Sequence, residues 1–346
     1  MTTSSSLDAP VHDRSLYGRR AFGLSAILAA LVAAVLASLA FGANPLSLEQ
    51  VWRGMWSPDQ SEASIIVWTL RLPRTIAGIL IGAAFGVAGA LIQALTRNPL
   101  ADPGILGVNA GAGFAVTLGV GVFGLSGISG YVWFAFIGAA GATILVYLIG
   151  SAGRGAASPV SLVLAGVALG AVLGGFATLL TLMDEETFRS LRRWGLGSIA
   201  RTGLDETLSV LPFLAAGLLL AILLSGSLNS IALGDDLAAS LGTKVVRTRV
   251  LGIVAVTLLA GGATALTGGI AFVGLMVPHI VRWFTGPDQR WIILYSAVAA
   301  PVLVLAADVL GRVVARPGEV EVGVVTAVIG APVLIALVRR RKASGL

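Results

Sequence analysis

Charged side chains that could take part in chemistry are scarce in this chain, and those beside apolar stretches stand in close pairs. Asp308 and Arg312 are four residues apart, so they can form an ion pair across one helical turn. Arg71 and Arg74 flank a proline in the sequence RLPR, directly before an apolar stretch. Such arginines suit either snorkelling at a membrane interface or binding of acidic residues on an extracellular partner. No cluster of nucleophile, acid and base accompanies them, which argues against an enzyme.

A short half-polar segment, IALGDDLAASLGTK at residues 231–244, separates two membrane-length apolar stretches. Leucines recur in it every four residues and predict one apolar stripe on a two-turn helix. They are Leu233, Leu237 and Leu241. We expect Asp235 and Asp236 to cap the helix and Gly242 to end it. Because so short a helix is marginal alone, the stripe needs a surface, either the membrane interface or a groove on a cytoplasmic protein.

Sequence patterns for nucleotide or metal binding are missing or out of context. GVGVFG at 119–124 satisfies G-x-G-x-x-G, but no strand precedes it and no acidic residue follows at the required distance. No G-x-x-x-x-G-K-[ST] sequence occurs, so the chain is not expected to hydrolyse ATP. With no cysteine and two histidines, we expect no metal site.

The composition is that of a membrane-embedded protein. Of 346 residues, 56% are apolar and 12% are charged, about half the charged fraction of a soluble domain. Apolar stretches of about 20 residues, enough for one helical crossing, recur along the chain. The sequence therefore predicts an all-α polytopic membrane protein with ten crossings. The predicted spans lie near residues 22–41, 75–95, 104–123, 131–149, 160–183, 207–228, 250–267, 269–284, 291–310 and 322–338.

Basic residues at both ends of the chain predict its orientation. Arg19 and Arg20 end a polar stretch, residues 1–20, that we expect to be a disordered cytoplasmic tail. A second basic run occupies residues 339–342. Because positive charge marks cytoplasmic segments, both termini are expected in the cytoplasm, which requires an even number of crossings. ALTGGIAF at 265–272 predicts the break between the seventh and eighth spans.

Glycines spaced by four residues form ridges on two predicted helices. They are Gly78, Gly82 and Gly86 on one helix, and Gly166, Gly170 and Gly174 on the other. Small residues at this spacing let helix backbones approach closely, so we favour helix packing over the lining of a conduit. Residues 74–90 and 247–263 also share an opening Arg-Thr and a closing Gly-Ala, which suggests an inverted repeat.

Six sequence motifs, each weak alone, occur in an order and spacing that are highly specific. They are RLPRTIAG…GAAFGVAGALIQALTRNPLADPGILGVNAGA, WGLGSI at 194–199, LGDDLAASLG, GGIAFVGLMVPHIVR, AADVLGR and GVVTAVIGAP. Together they make the chain resemble the FecCD-type permease subunits of ABC importers for iron-siderophores, haem and cobalamin. The resemblance extends from about residue 20 to residue 340.

The resemblance implies a type II ABC importer permease fold, with about ten transmembrane helices in inverted halves. It implies a transmembrane permease domain at residues 21–340, which contains a cytoplasmic coupling segment at 229–248. The residues expected to engage the ATPase are Leu233, Gly234, Asp235, Asp236, Ala238, Leu241 and Gly242. The residues expected to receive acidic groups of a binding protein are Arg71, Arg74 and Arg312.

Partners and location also follow from the resemblance. It implies an ATP-binding cassette ATPase subunit, an extracytoplasmic binding protein or lipoprotein, and a second permease copy or a paralogue. ATP and magnesium would bind the ATPase, while this chain would bind no cofactor and no nucleic acid. The expected location is a bacterial inner or plasma membrane, which the chain crosses several times. Ferric siderophore is the expected cargo, with haem and cobalamin as alternatives.

Two other classes of protein stay open as alternatives to such a permease. A stand-alone secondary carrier is disfavoured because acids and histidines are nearly absent at mid-membrane depth. A membrane-embedded enzyme is disfavoured by the missing catalytic cluster. The chain also departs from the family pattern twice: Glu321 stands in place of a proline, and Leu334 in place of a phenylalanine. Both departures bear on the expected outer gate and the last helix rather than on the class of protein.

Overall fold

The computed structural model describes residues 12–57, 59, 61–152 and 159–343. Within these ranges the regular structure is helical and contains no strand, as the composition predicts. Residues 1–11 of the predicted tail lie outside the described residues. The first helix begins at His12, so residues 12–20 are helical rather than disordered. Extending an existing helix by a further residue costs little free energy, which explains how the polar stretch joins the apolar one.

Fifteen α-helices follow one another along the described ranges. The first seven are α1 (His12–Ala40), α2 (Leu48–Trp56), α3 (Glu62–Ile65), α4 (Leu72–Thr96), α5 (Val108–Gly121), α6 (Gly127–Ser151) and α7 (Pro159–Met183). The others are α8 (Glu185–Gly195), α9 (Leu204–Ile231), α10 (Asp235–Ser240), α11 (Val245–Val256), α12 (Gly262–Thr267), α13 (Val273–Thr285), α14 (Gln289–Val314) and α15 (Val322–Ala343). π-Helical stretches, Ile66–Arg71 and Thr257–Gly261, join α3 to α4 and α11 to α12.

Each of the ten predicted spans coincides with a helix or with a joined run of helices. In the part of the chain that the structure describes, seven helical segments are long and apolar enough to cross a membrane. The other three predicted spans correspond to α5, α13 and α15, of 14, 13 and 22 residues. The predicted break at residues 265–272 is confirmed, because α12 ends at Thr267 and α13 begins at Val273.

The break is built on a glycine at a close backbone approach. Gly268 has φ +76°, and a Cβ there would lie 1.8 Å from the carbonyl oxygen of Trp194. A side chain at this position would strain the backbone, which has a positive φ, and would clash with the backbone of Trp194. The glycine therefore ends α12 and lets the chain turn before α13.

Helix α4 forms the buried centre of the molecule and packs against α14. A Cβ at Gly78, Gly82 or Gly86 would lie 2.5–2.6 Å from an atom of α14. The nearest atoms belong to Leu305, Pro301 and Ala300 respectively, so the two helices run antiparallel. This confirms that the first glycine ridge serves helix packing. The second ridge on α7 is close-packed only at Gly166, whose Cβ would lie 1.9 Å from the carbonyl oxygen of Ile105, and is open at Gly174.

The two ends of the helix assembly carry different polar groups. We call them the arginine end, where Arg71, Arg74 and Arg312 lie, and the α10 end. Helix α4 begins at the arginine end and finishes near α10, because Arg97 approaches Asp235 at 3.7 Å. Helix α11 begins near α10, where Arg249 binds Asp235, and so runs opposite to α4, as the suggested repeat requires.

Helices α1 and α15 have their basic ends on the α10 side. Arg20 near the start of α1 donates to the carbonyl oxygen of Thr285, beside the loop that binds the end of α9. Helix α15 begins at the other end, where the Gly323 amide donates to the carbonyl oxygen of Gly197. The start of α1 and the end of α15 therefore lie on the same side of the assembly, as an even number of crossings requires.

Helices α5 and α13 are short because both begin inside the assembly rather than at its surface. Each is preceded by a residue with left-handed backbone, Gly107 at φ +76° and Phe272 at φ +69°. The buried side chain of Gln93 on α4 binds both the segment that precedes α5 and the first turn of α13. Its amide nitrogen lies 3.0 Å from the Leu275 carbonyl oxygen and 3.4 Å from that of Ala101. Broken helices of this kind are typical of transporters, where they surround a pathway.

Candidate functional site

Arg71 is buried and binds backbone carbonyl groups rather than a carboxylate. Its Nη1 donates to the carbonyl oxygens of Leu39 at 2.6 Å and Ala40 at 2.8 Å, and its Nη2 donates to that of Asn44 at 2.8 Å. Leu39 and Ala40 carry otherwise unpaired carbonyl groups at the end of α1, and Asn44 lies in the loop that follows. The guanidinium therefore closes the C-terminal end of α1 and fixes it to the start of α4.

Asp308 binds two arginines with opposite edges of one buried carboxylate. Arg74 Nη2 lies 2.7 Å from Oδ1, and Arg312 Nη2 lies 2.7 Å from Oδ2. Asp308 and Arg312 have side chains only 1% and 2% exposed, so this predicted ion pair is confirmed and is buried. Arg312 also donates to the carbonyl oxygens of Ser38 and Phe41, which connects α14 to α1.

Arg74 has a second acidic partner at the surface. Its Nη1 lies 2.8 Å from Oε2 of Glu319, a side chain that is 30% exposed. Glu319 belongs to the segment between α14 and α15, so Arg74 connects that segment to α4. No sequence pattern predicts this pair, because its two residues are 245 positions apart along the chain. The nearest unusual feature in the sequence is Glu321, which departs from the family pattern in the same segment.

The three predicted docking arginines line one cavity at the arginine end. It has a volume of about 250 Å³, and its lining includes Arg71, Arg74, Arg312, Asn44 and Glu319. With Arg316, which donates to the carbonyl oxygen of Gly42 in the cavity wall, four guanidinium groups face the carboxylates of Asp308 and Glu319, so the cluster carries two excess positive charges. An acidic side chain entering from outside would meet a complementary field.

A second polar cavity, of about 410 Å³, lies beside α8. Its lining includes Tyr131, Arg193, Arg201, Glu206 and Glu321. Glu321, which departs from the family pattern, therefore faces a polar cavity rather than the apolar core. Its carbonyl oxygen accepts from the amides of Val324 and Val325 at the start of α15. A charged residue is tolerated at this position because polar groups surround it.

The short helix predicted in this segment is present as α10, but its acidic cap is not. Glycine at position 234 precedes the helix, and no side chain caps it. Asp235 instead binds Arg249 Nη2 at 2.8 Å and approaches Arg97 at 3.7 Å. The prediction that Asp235 and Asp236 cap the helix is therefore wrong, because two distant arginines bind the carboxylate of Asp235 and Asp236 is exposed without a capping hydrogen bond. These partners fix α10 to the ends of α4 and α11.

The predicted leucine stripe of α10 points away from the molecule. Its members, Leu233, Leu237 and Leu241, are 60%, 49% and 61% exposed. Ala238, the residue after Leu237, is fully buried and faces the rest of the molecule. Gly242 has φ +83°, and its amide donates to the Ala239 carbonyl oxygen, which ends the helix as predicted. Three exposed leucines on α10 and at its two ends form an apolar surface, suited either to the membrane interface or to a groove on another protein.

A helical membrane assembly with broken helices, a charged cavity at one end and an exposed apolar helix at the other defines a membrane transport protein. The chain belongs to the FecCD transport family, whose model matches residues 30–340. It is a transport permease and not an enzyme.

Two curated relatives and one solved structure are similar over nearly the whole chain. The ferric enterobactin transport system permease protein FepD of Escherichia coli is 49% identical, over 94% of this chain and 97% of the relative. The probable siderophore transport system permease protein YfiZ of Bacillus subtilis is 37% identical, over 90% and 93%. The solved structure is a metal-chelate type ABC transporter in an inward-facing conformation. It is 28% identical, with a TM-score of 0.79 over 93% of this chain and 99% of that one.

Proposed function

We propose that this chain is the membrane-spanning subunit of an ATP-driven importer that carries a ferric siderophore into the cell. The match to the family over residues 30–340 carries this proposal. Both curated relatives described above are siderophore permeases by name, and the one at 49% identity transports ferric enterobactin. A bulky iron chelate is therefore the favoured class of cargo, ahead of haem and cobalamin.

The power for transport comes from a separate ATPase subunit, which binds ATP and magnesium and docks on the segment at 229–248. The exposed leucines of α10 support this role, because they offer apolar area at the end of the molecule. The ion pairs of Asp235 with Arg97 and Arg249 support it too, since they link the helix to α4 and α11. A force applied to α10 would then reach the centre of the membrane domain. Leu233, Gly234, Asp236, Leu241 and Gly242 complete the proposed contact segment, whereas the buried Ala238 would hold the helix against the membrane domain.

An extracytoplasmic binding protein delivers the chelate at the arginine end. The excess positive charge of the cavity beside Arg74 favours an acidic partner residue. In this proposal Arg74, whose side chain is 12% exposed, makes the direct contact. Arg71 and Arg312 line the same cavity, but their guanidinium groups already bind α1. Their role in this proposal is therefore to fix the position of the cavity walls.

A second permease subunit, identical or paralogous, completes the pathway. The support is the long face of α7, where large apolar side chains such as Leu164, Val167 and Phe176 are more than half exposed. The chain would lie in a bacterial inner or plasma membrane, with both termini and α10 in the cytoplasm. The chain itself would bind no cofactor and supply no nucleotide chemistry.

Uptake by a strain that lacks this chain tests the cargo. Cells complemented with the wild-type chain receive one of three labelled cargoes: radioactive iron as ferric enterobactin, radioactive iron as haem, or labelled cobalamin. The proposal predicts that complementation restores uptake of the ferric siderophore. Restoration of haem or cobalamin uptake alone would contradict the proposed cargo while leaving the class of protein intact.

A further inference from the structure

An apolar groove runs between α6 and α11 on the outer surface of the membrane domain. It encloses about 300 Å³, and the residues that line it belong to these two helices and to the π-helical stretch that follows α11. The walls include Ile144 and Leu148 on α6 and Val250 and Val254 on α11, which are between 39% and 58% exposed. The groove is therefore open to the side, at the depth of the hydrocarbon layer.

Besides Tyr147, the polar side chains in the groove are two threonines, and both hydroxyls are already hydrogen-bonded. The hydroxyl of Thr143 donates to the carbonyl oxygen of Ala139, and that of Thr257 donates to the carbonyl oxygen of Ile253. Each threonine thus satisfies its hydroxyl on its own helix and presents its methyl group to the groove. An occupant would meet an apolar wall, which favours a hydrocarbon chain over a polar ligand or a water column.

The length of the groove matches one leaflet of a bilayer. Its lining on α6 extends from Phe136 to Leu148, which is about 18 Å at the rise of an α-helix. Half of a hydrocarbon core is about 15 Å thick. One acyl chain of a lipid in the leaflet on the α10 side would therefore fit along it.

A basic residue stands at the end of the groove where that lipid's headgroup would lie. Arg247 precedes Val250 by three residues and Val254 by seven, so the three share one face of α11. Its side chain is exposed and has no ion-pair or hydrogen-bond partner among the described residues. The neighbouring Arg249 differs, because it is buried against Asp235.

We infer that the groove between α6 and α11 binds an acyl chain of an anionic phospholipid, and that Arg247 binds its phosphate group. The apolar walls accept the chain, and the unpaired guanidinium adds selectivity for a negatively charged headgroup. Basic residues next to grooves between membrane helices favour anionic lipids in this way. Because the site is far from the cavity beside Arg74, the inference does not depend on the cargo.

Lipid binding to the purified full-length chain tests the inference. The delipidated chain is titrated with phosphatidylglycerol or phosphatidylcholine, and bound lipid is counted by native mass spectrometry. We expect the wild type to prefer phosphatidylglycerol by about fivefold, since one arginine near a membrane surface contributes on this scale. Arg247→Gln should remove that preference, whereas Arg19→Gln, an exposed basic residue at the same end, should keep it.

A second variant tests the groove separately from the charge. Ala140→Phe places a ring in the groove, so it should lower the binding of both lipids while leaving the helices folded. Equal binding of the two lipids by the wild type would overturn the role of Arg247. Unchanged lipid binding by Ala140→Phe would overturn the groove as the site. A lipid-free wild-type dimer that Ala140→Phe splits into monomers would show that a second copy, and not a lipid, covers the groove.

Discussion

Arg74 binds Glu319 through Nη1 at 2.8 Å, and this pair joins the start of α4 to the segment that leads into α15. Glu319 thereby occupies the side of the guanidinium that faces the cavity beside Arg71 and Arg312. An acidic residue of a docking partner would have to share or replace this contact. The internal carboxylate is thus a competitor for the proposed binding protein.

Neutralising that competitor should strengthen docking. Glu319→Gln removes one negative charge and frees Arg74, so we expect the binding protein to bind several times more tightly. Arg74→Gln should weaken binding by a similar factor. Affinity is measured with the permease in nanodiscs at low and high salt, and the difference between the variants should shrink at high salt because exposed charges are screened.

The two substitutions should change the affinity in opposite directions, which distinguishes an effect of charge from an effect of damage to the fold. Loss of folded protein would lower binding in both variants. If both variants bind the partner with wild-type affinity at low salt, docking does not use this cavity.

The buried carboxylate of Asp308 should matter for stability more than any exposed acid. Asp308→Asn leaves the guanidinium of Arg312 buried without its counter-charge, which typically costs about 3 kcal/mol or more. Unfolding in detergent, followed by tryptophan fluorescence, measures the change in the free energy of unfolding. Asp236→Asn is the matched control, because that acid is exposed on α10. Equal stability of the two variants would refute a structural role for the Asp308 cluster.

The leucine stripe of α10 should bind the ATPase subunit. Leu237→Ser removes an exposed apolar side chain whose burial contributes about 1.5–3 kcal/mol, so affinity should fall about tenfold or more. The permease itself should remain folded, because Leu237 is half exposed. Ala239→Ser, also exposed on α10, is the control and should bind normally. Co-purification of Leu237→Ser with the ATPase at wild-type affinity would mean that the partner docks elsewhere.

The contact between α4 and the start of α13 should not tolerate a methyl group. A Cβ at Gly89 would lie 1.8 Å from the backbone carbonyl oxygen of Gly274, so Gly89→Ala must push the two segments apart. We expect a strong loss of folded protein in size-exclusion chromatography. Gly141→Ala on α6 has no atom within 4 Å of the added group and should be neutral or slightly stabilising. A stable, monodisperse Gly89→Ala protein would contradict the close packing described for α4.

Local sequence patterns predicted the features that depend on neighbouring residues. The pair of Asp308 and Arg312 follows from a spacing of four residues, and the break before α13 follows from paired glycines. Helix α2 was missed, although Ser47 and Gln50 form a capping box that marks its start. With nine residues, it is too short to produce a membrane-length apolar stretch and lies between two such stretches.

Features that depend on distant residues could not be read from the sequence. Asp235 was expected to cap α10, but Arg249 and Arg97 attract its carboxylate once the helices pack. Arg71 and Arg312 were expected to receive partner residues, and the fold uses their guanidinium groups to hold the end of α1. Their proposed place in docking is therefore to line the cavity around Arg74.

Transport by reconstituted protein tests the central claim most directly, namely that this chain is a conduit powered by a separate ATPase. Proteoliposomes containing the permease are loaded with ATP, supplied with the binding protein and radioactive ferric siderophore, and compared with and without the ATPase subunit. Accumulation above the external concentration is expected only when the ATPase is present. Uphill accumulation by the permease alone would contradict the account.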